Sequence, residues 1–433
     1  MTRERRDGLT MLLLGGLVFI MLGAVLENAV PVSLTDFRAL YYPARCLLQH
    51  HDPYKTSDVE HVYEAEGHTP DTAATRQIAT QNVYPPTSFI LSIPFALLPW
   101  GPAHLLWLLL IFASVLLASI LIWDLGAEYA PILSGFMIGF LLANSEVLAM
   151  TGNAAGIAIS LCCIAVWCFF RQRFVWAGIL CLAVSLAVKP HDAGLVWLYF
   201  LLAGGVYRRR AWQVLLVMIA LTLSSILWIW LVSPHWMQEM HTNLLAYSLP
   251  GGTNDPSASA MGPEGVIDLQ SATSFFWSAP RIYNLASYLI CAPLLLVWAL
   301  AAFRSRFSQA RAWLALAAIA ALSMLPVYHR QYDAKLLLLA VPACGLLWAR
   351  GGRARWFALG LTAMGLVTTG DFFWTTALGI ARNPSLRATG VLWQSLMIAL
   401  RFSVPVILLA MSIFYLWVFA RRCAKTIAEQ DAF

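Results

Sequence analysis

Apolar runs recur from one end of this 433-residue chain to the other, and they constrain its fold more than anything else in the sequence. Runs long enough to cross a bilayer, or nearly so, fall near 9–28, 102–123, 131–149, 153–170, 174–188, 191–206, 211–232, 283–303, 311–328, 335–349, 354–370 and 395–420. About 20 apolar residues cross a bilayer as a helix. The chain is 60% hydrophobic and 12% charged, against about 25% charged for an ordinary soluble domain. No soluble core hides that much apolar surface. The expectation is an all-α polytopic membrane protein with twelve transmembrane helices, forming a single membrane domain over 1–433.

The charge pattern fixes an expected orientation, because Lys and Arg stay on the cytoplasmic side of a membrane. With the N-terminus inside, basic clusters fall at Arg3/Arg5/Arg6, Arg171/Arg173, Arg208/Arg209/Arg210, Arg304/Arg306/Arg311, Arg350/Arg353/Arg355 and Arg421/Arg422/Lys425. Both termini are then cytoplasmic and the membrane is the inner (plasma) membrane. Only the turn 124–130, with Asp124 and Glu128, breaks the rule. The run 9–28 reads as an uncleaved signal anchor rather than a signal peptide. Residues 85–99 are apolar but short and carry Pro85, Pro86, Pro94 and Pro99. If they spanned, every later cluster would change sides, so they read as a re-entrant or interfacial helix on the outer face. The polar mass lies in outer loops at 31–83, 233–282 and 371–394. The net charge of +6 is spread in clusters between apolar runs, so no nucleic-acid partner is expected. The eight cysteines form no CxxC pair, which argues against a structural zinc or a disulfide framework.

Side chains that could carry chemistry gather at the outer boundary. Asp36 opens a segment whose apolar positions 37, 40, 41, 44, 47 and 48 follow helical spacing, as in a helix lying on the membrane surface. A carboxylate there can serve as a base toward a lipid head group, or it can cap the helix. Thr151-Gly152-Asn153 begins an apolar run, where a helix N-terminus can receive an anion or simply be capped. In Lys189-Pro190-His191-Asp192, the lysine ends an apolar run and either meets a phosphate or snorkels to water. Val327-Tyr328-His329-Arg330-Gln331-Tyr332-Asp333-Ala334-Lys335 is the densest polar cluster, read as a phosphate-binding or proton-handling site, with a helix anchor as the alternative. The loop Gly251-Gly252-Thr253-Asn254-Asp255-Pro256, followed by Asp268-Leu269-Gln270-Ser271, suits a mobile acceptor-binding segment. No P-loop, GxSxG or HExxH motif occurs, so an activated substrate would be lipid-borne rather than a nucleotide.

In order and side, these pieces resemble glycosyltransferase family 87, integral-membrane enzymes of the GT-C class that include polyprenol-phosphate-mannose-dependent mannosyltransferases. The resemblance rests on Asp36-Phe37 through Tyr41-Tyr42, Asp52-Pro53-Tyr54, Tyr84-Pro85-Pro86, Gly152-Asn153, Lys189-Pro190 and His329-Arg330-Gln331-Tyr332-Asp333. It implies an inverting transfer of a sugar, mannose by the weight of the family and otherwise another hexose or a pentose. The donor would be a polyprenyl-phosphate sugar. The acceptor hydroxyl would belong to a glycolipid or glycan on the extracytoplasmic face. Asp36 would be the general base, and Lys189, His329 and Arg330 would hold the donor phosphate. Arg38, Tyr41, Tyr84, Asn153, His191, Gln270, Tyr332 and Asp333 complete the expected substrate-binding set. No metal and no cofactor is expected, the lipid-linked donor being a substrate.

Two positions depart from the pattern the resemblance brings with it. Asn153 stands where Gln is common after the glycine, and His191 where Gln is common after Lys-Pro. The competing reading is a transporter or flippase of lipid-linked glycans. It would call for buried charge along a path through the membrane and for repeat symmetry, and the sequence shows neither.

Overall fold

The computed structural model describes residues 1–30, 33–66, 73–249, 252, 254–256, 265–373, 375–376 and 390–430. Nearly every element is helical. In chain order they are α1 (Arg3–Ala29), α2 (Thr35–Leu48), α3 (Thr56–Ala65), α4 (Ala73–Thr80), α5 (Pro86–Ala96), α6 (Trp100–Gly126), α7 (Pro131–Ala143), α8 (Glu146–Thr151), α9 (Ala155–Arg171) and α10 (Val175–Val188). There follow α11 (Pro190–Leu202), α12 (Gly205–Val232), α13 (Trp236–Ser248), α14 (Leu269–Thr273), α15 (Pro280–Arg304) and α16 (Gln309–Leu322). A 3-10 helix, Gln331–Ala340, runs into α17 (Val341–Arg350), and α18 (Ala354–Thr368) precedes a long C-terminal helix, Gly390–Gln430. No strand forms among the described residues; Val266 and Arg330 make an isolated antiparallel bridge.

Six segments are long and apolar enough to cross a bilayer: Arg3–Ala29, Trp100–Gly126, Gly205–Val232, Pro280–Arg304, Gln331–Arg350 and Arg401–Cys423. Their outward faces carry leucines that water would not tolerate in such number, among them Leu216, Leu223, Leu227 and Leu231 on α12 and Leu285, Leu289 and Leu296 on α15. Five other expected spans correspond to apolar helices of 10–17 residues: α7, α9, α10, α16 and α18. At about 1.5 Å per residue such helices fall short of a hydrocarbon core about 30 Å thick. Expected span 191–206 corresponds to α11, with 13 residues. The proline-bounded segment 85–99 becomes α5, 11 residues packed against α2.

Helix breaks explain the difference between twelve uniform spans and this architecture. The run 131–149 is interrupted at Asn144-Ser145, leaving α7 and α8. The exposed backbone ends are met by buried charge. Lys335 Nζ donates to the Asn144 carbonyl at 2.9 Å, and Asp371 Oδ2 accepts from the Val147 N–H at 2.7 Å. Broken backbone within an apolar bundle persists only where protein groups satisfy it in this way.

Asp124 and Glu128, the acids that break the charge pattern, are paired. Arg171 Nη2 lies 2.7 Å from Asp124 Oδ2, and Arg171 also bonds Glu128. Arg5 approaches Asp124 at 3.4 Å. The start of α1, the α6–α7 turn and the end of α9 therefore share one end of the bundle.

Helices α1 and α7 cross at backbone contact. A Cβ added to Gly15 would lie 2.0 Å from the Gly139 carbonyl oxygen, and one added to Gly135 would lie 2.0 Å from the Gly8 oxygen. Gly135 and Gly139 have the GxxxG spacing that lets helices in lipid approach this closely. Gly139→Leu is expected to cost at least about 1–3 kcal/mol through overpacking. It should lower the thermal midpoint of the detergent-solubilised protein. Gly360→Ala, whose added Cβ meets nothing within 4 Å, should leave that midpoint unchanged.

Candidate active site

A cavity of about 390 Å³ opens where several of these helix ends converge. Asp36 and Ala39 face it from α2, three residues apart on one helical face. Asn153 faces it from the α8–α9 junction, and Lys189, Pro190 and His191 from the α10–α11 junction. Tyr84 faces it from the turn before α5, and Tyr328, Arg330 and Tyr332 from the approach to the 3-10 helix and its first turn. Met240, Leu244 and Tyr247 of α13 supply an apolar wall.

Asp36 is set by its neighbours. Leu34, in the left-handed region at φ 54°, is the N-cap of α2, and its N–H donates to the Met150 carbonyl at 2.7 Å. Asp36 thus lies in the first helical turn, where the helix dipole favours a carboxylate. Gly152, at φ +66°, closes α8 against Leu34; a Cβ there would come within 2.3 Å of Leu34 Cδ2. That turn delivers Asn153, whose Oδ1 accepts from the Ala155 N–H at 2.8 Å and whose Nδ2 donates to Asp36 Oδ2 at 2.7 Å. The two bonds require an acceptor and a donor on one side chain, which an amide supplies and a carboxylate does not. Asn153 therefore caps the start of α9 and orients Asp36 at once.

The cations of the cavity come from Lys189 and Arg330. The chain breaks at Lys189, with Pro190 opening α11, so the lysine projects from a helix junction. Its Nζ donates to Asp333 Oδ1 at 2.7 Å, lies 3.8 Å from Asp192 Oδ2 and sits 5.1 Å from the centre of the Tyr332 ring. Burial disfavours the charge on Lys189, but Asp333 and Asp192 outweigh it and hold its pKa above the ordinary lysine value. Asp333 uses its other oxygen to accept from the Arg330 N–H at 2.9 Å, closing the start of the 3-10 helix. The Arg330 side chain donates to the Tyr328 hydroxyl.

His329 is fully buried one layer behind the wall. Its Nδ1 donates to the Val327 carbonyl at 2.9 Å, and its Nε2 lies 3.5 Å from Asp192 Oδ1. Burial opposes protonation of His329, yet Asp192 and Asp333 raise its pKa above the ordinary histidine value.

Of the residues singled out in the sequence, Asp36, Tyr84, Asn153, Lys189, His191, Arg330 and Tyr332 line one cavity, with Asp333 and His329 directly behind. Arg38, Tyr41 and Gln270 do not line it. The Arg38 guanidinium lies 4.5 Å from the centre of the Trp100 ring, and the Tyr41 hydroxyl donates to the Leu98 carbonyl at 2.8 Å. Gln270 Nε2 donates to the Pro326 carbonyl at 3.0 Å, holding the segment beside His329. In the loop 251–256, expected to bind acceptor, positions 251 and 253 lie outside the described residues; Asn254 lines the cavity. Most of the outer loop 371–394 also lies outside them.

Helix α13 went unnoticed in the sequence. Its buried Asn243 donates to the carbonyls of Tyr54 and Asn82, both at 2.9 Å, stitching the first long loop to the second.

Lys189→Met would leave Asp333 buried without its cation and is expected to cost about 3–5 kcal/mol. Thermal melts should show a large loss that Asp333→Asn in the same chain partly restores. Independent, additive losses would show that the two side chains do not act as a pair.

No curated protein and no solved structure matches the chain significantly. The description of glycosyltransferase family 87 matches residues 82–326, more than half of the chain and a stretch that holds Asn153, Lys189 and all of α13. With helices of membrane-spanning length and a cavity lined by a carboxylate and cations, the chain belongs to glycosyltransferase family 87.

Proposed function

We propose that the protein transfers a sugar from a polyprenyl-phosphate donor to an acceptor hydroxyl on the extracytoplasmic face, with inversion at the anomeric carbon and Asp36 as general base. The observation that carries this reading is that Asp36, Lys189 and Arg330 line one cavity. Mannose is the sugar favoured by the family resemblance, and a glycolipid or glycan is the acceptor class.

The chemistry is a single displacement. Asp36 accepts the proton of the acceptor hydroxyl as its oxygen bonds to the anomeric carbon. The bond from that carbon to the phosphate oxygen breaks, and its electron pair leaves with the lipid phosphate. Negative charge grows on the phosphate, where Lys189 and Arg330 stabilise it from positions fixed before the reaction. Asn153 keeps one Asp36 oxygen in place, so the carboxylate need not reorganise. Tyr84, Tyr328 and Tyr332 offer rings and hydroxyls to a sugar face and its hydroxyl groups. The apolar wall of α13 suits the first isoprene units of a lipid carrier.

Asp36→Asn preserves shape and the contact with Asn153 while removing the base. Transfer from labelled polyprenyl-phosphate sugars to membrane glycolipid should fall by about 10²–10⁴-fold with gel-filtration behaviour unchanged. Retention of wild-type turnover in the folded variant would remove Asp36 from the chemistry.

A further inference from the structure

The cavity wall contains a group of side chains whose arrangement exceeds what phosphate binding by Lys189 and Arg330 needs. His191, Asp192 and His329 each present one ligand-type atom, and these atoms lie within 4.8 Å of one another. His329 Nε2 is 3.5 Å and His191 Nε2 is 3.7 Å from the same carboxylate oxygen, Asp192 Oδ1. Two ligand atoms bound to one tetrahedral ion, each at about 2.0–2.2 Å, lie about 3.3–3.6 Å apart. The two separations from Asp192 Oδ1 fall close to that edge, the third is no more than 4.8 Å, and all are long for hydrogen bonds.

Two further features are those of a ligand set rather than of a packed core. Both Asp192 oxygens and His329 Nε2 are buried and approach one another, His191 and Lys189 only at ion-pair distances of 3.5–3.8 Å, with no hydrogen bond among the described residues. A buried polar atom left in that state is costly. In addition, the His329 Nδ1 proton is committed to the Val327 carbonyl, which turns the ring so that Nε2 points at Asp192. A backbone carbonyl that takes the other ring proton and fixes the tautomer in this way is the usual companion of a metal-binding histidine. Asp192 Oδ2 faces Lys189 instead, so the carboxylate would ligate through one oxygen.

The geometry points to a binding site for one divalent transition-metal ion, zinc or manganese, held by His191 Nε2, Asp192 Oδ1 and His329 Nε2 with its remaining coordination directed at the cavity. Two imidazoles and a carboxylate suit these ions better than magnesium, which favours oxygen ligands. Asp192 and His329 are buried, while His191 lines the cavity, so the open side faces the place assigned to the donor phosphate. That last assignment rests on the transfer reading; the ion site itself does not.

The test uses the full-length protein in detergent, stripped with chelator, then titrated with ZnCl₂, MnCl₂ or MgCl₂ and analysed for metal after gel filtration. The expected result is about one zinc or manganese ion retained per chain. His191→Ala removes a cavity-facing ligand with little effect on packing and should weaken retention by at least about 10–100-fold. Asp192→Asn should do the same, and His191→Gln serves as the variant if His191→Ala elutes abnormally. Wild type that retains no ion, or folded His191 and Asp192 variants that retain it as wild type does, overturns the site. Because the readout is metal content without sugar donor, loss of the ion site leaves the role of Asp36 standing. Failure of the Asp36 assay likewise leaves the ion site standing.

Discussion

The buried contact between Lys189 and Asp333 is the interaction on which the rest of the site depends. It joins two places where the helical backbone gives way: the α10–α11 junction at Lys189-Pro190 and the start of the 3-10 helix. Taking two charges out of water is expensive, and their attraction repays this only with good geometry and with the remaining hydrogen-bonding capacity used. Both conditions hold. Asp333 gives one oxygen to Lys189 and the other to the Arg330 N–H, while Lys189 also lies against Tyr332. One pair therefore sets the positions of Lys189, Arg330 and Tyr332, and it brings His191 and His329 to ring centroids 4.9 Å apart.

The carboxylate side is built by a parallel device. Gly152 turns the chain, Asn153 caps α9 and Asp36 accepts the amide. Each reactive group sits where a helix begins or ends, because only there does an apolar bundle present polar side chains and unpaired backbone to a common space. The packing behind them is rigid. Phe37 stacks on Trp107 at 4.5 Å and on Trp100 at 5.6 Å, so α2 cannot rotate Asp36 away without breaking an aromatic cluster. At the far end of the bundle the same logic appears in Arg171, which neutralises Asp124 and Glu128.

Much of this was legible in the sequence, and the limits have physical causes. Hydropathy revealed a helical membrane protein, since burial in lipid demands long apolar runs. It did not distinguish a continuous span from two short helices, because the Asn144-Ser145 break is satisfied by Lys335 and Asp371, both more than 190 residues away. Polar density marked Lys189 and the 327–335 cluster, but not their pairing. On α2, helical spacing puts Ala39 on the face of Asp36 and turns Arg38 and Tyr41 toward α5 and α6. The sequence contained that information as periodicity. The wall from α13 lacked any such mark, since Met240, Leu244 and Tyr247 lie in a stretch read whole as the outer loop 233–282. The glycines of α1 and α7 were equally silent until the close crossing gave them a partner.

The central claim is a single displacement at the anomeric carbon with Asp36 taking the acceptor proton. The anomeric configuration of the product, determined by NMR after transfer from a polyprenyl-phosphate sugar of known configuration, tests it most directly. The account predicts a linkage opposite to that of the donor. A product with the donor's configuration would require a second displacement or a different nucleophile, and would contradict the assignment of Asp36 as the base of a one-step transfer.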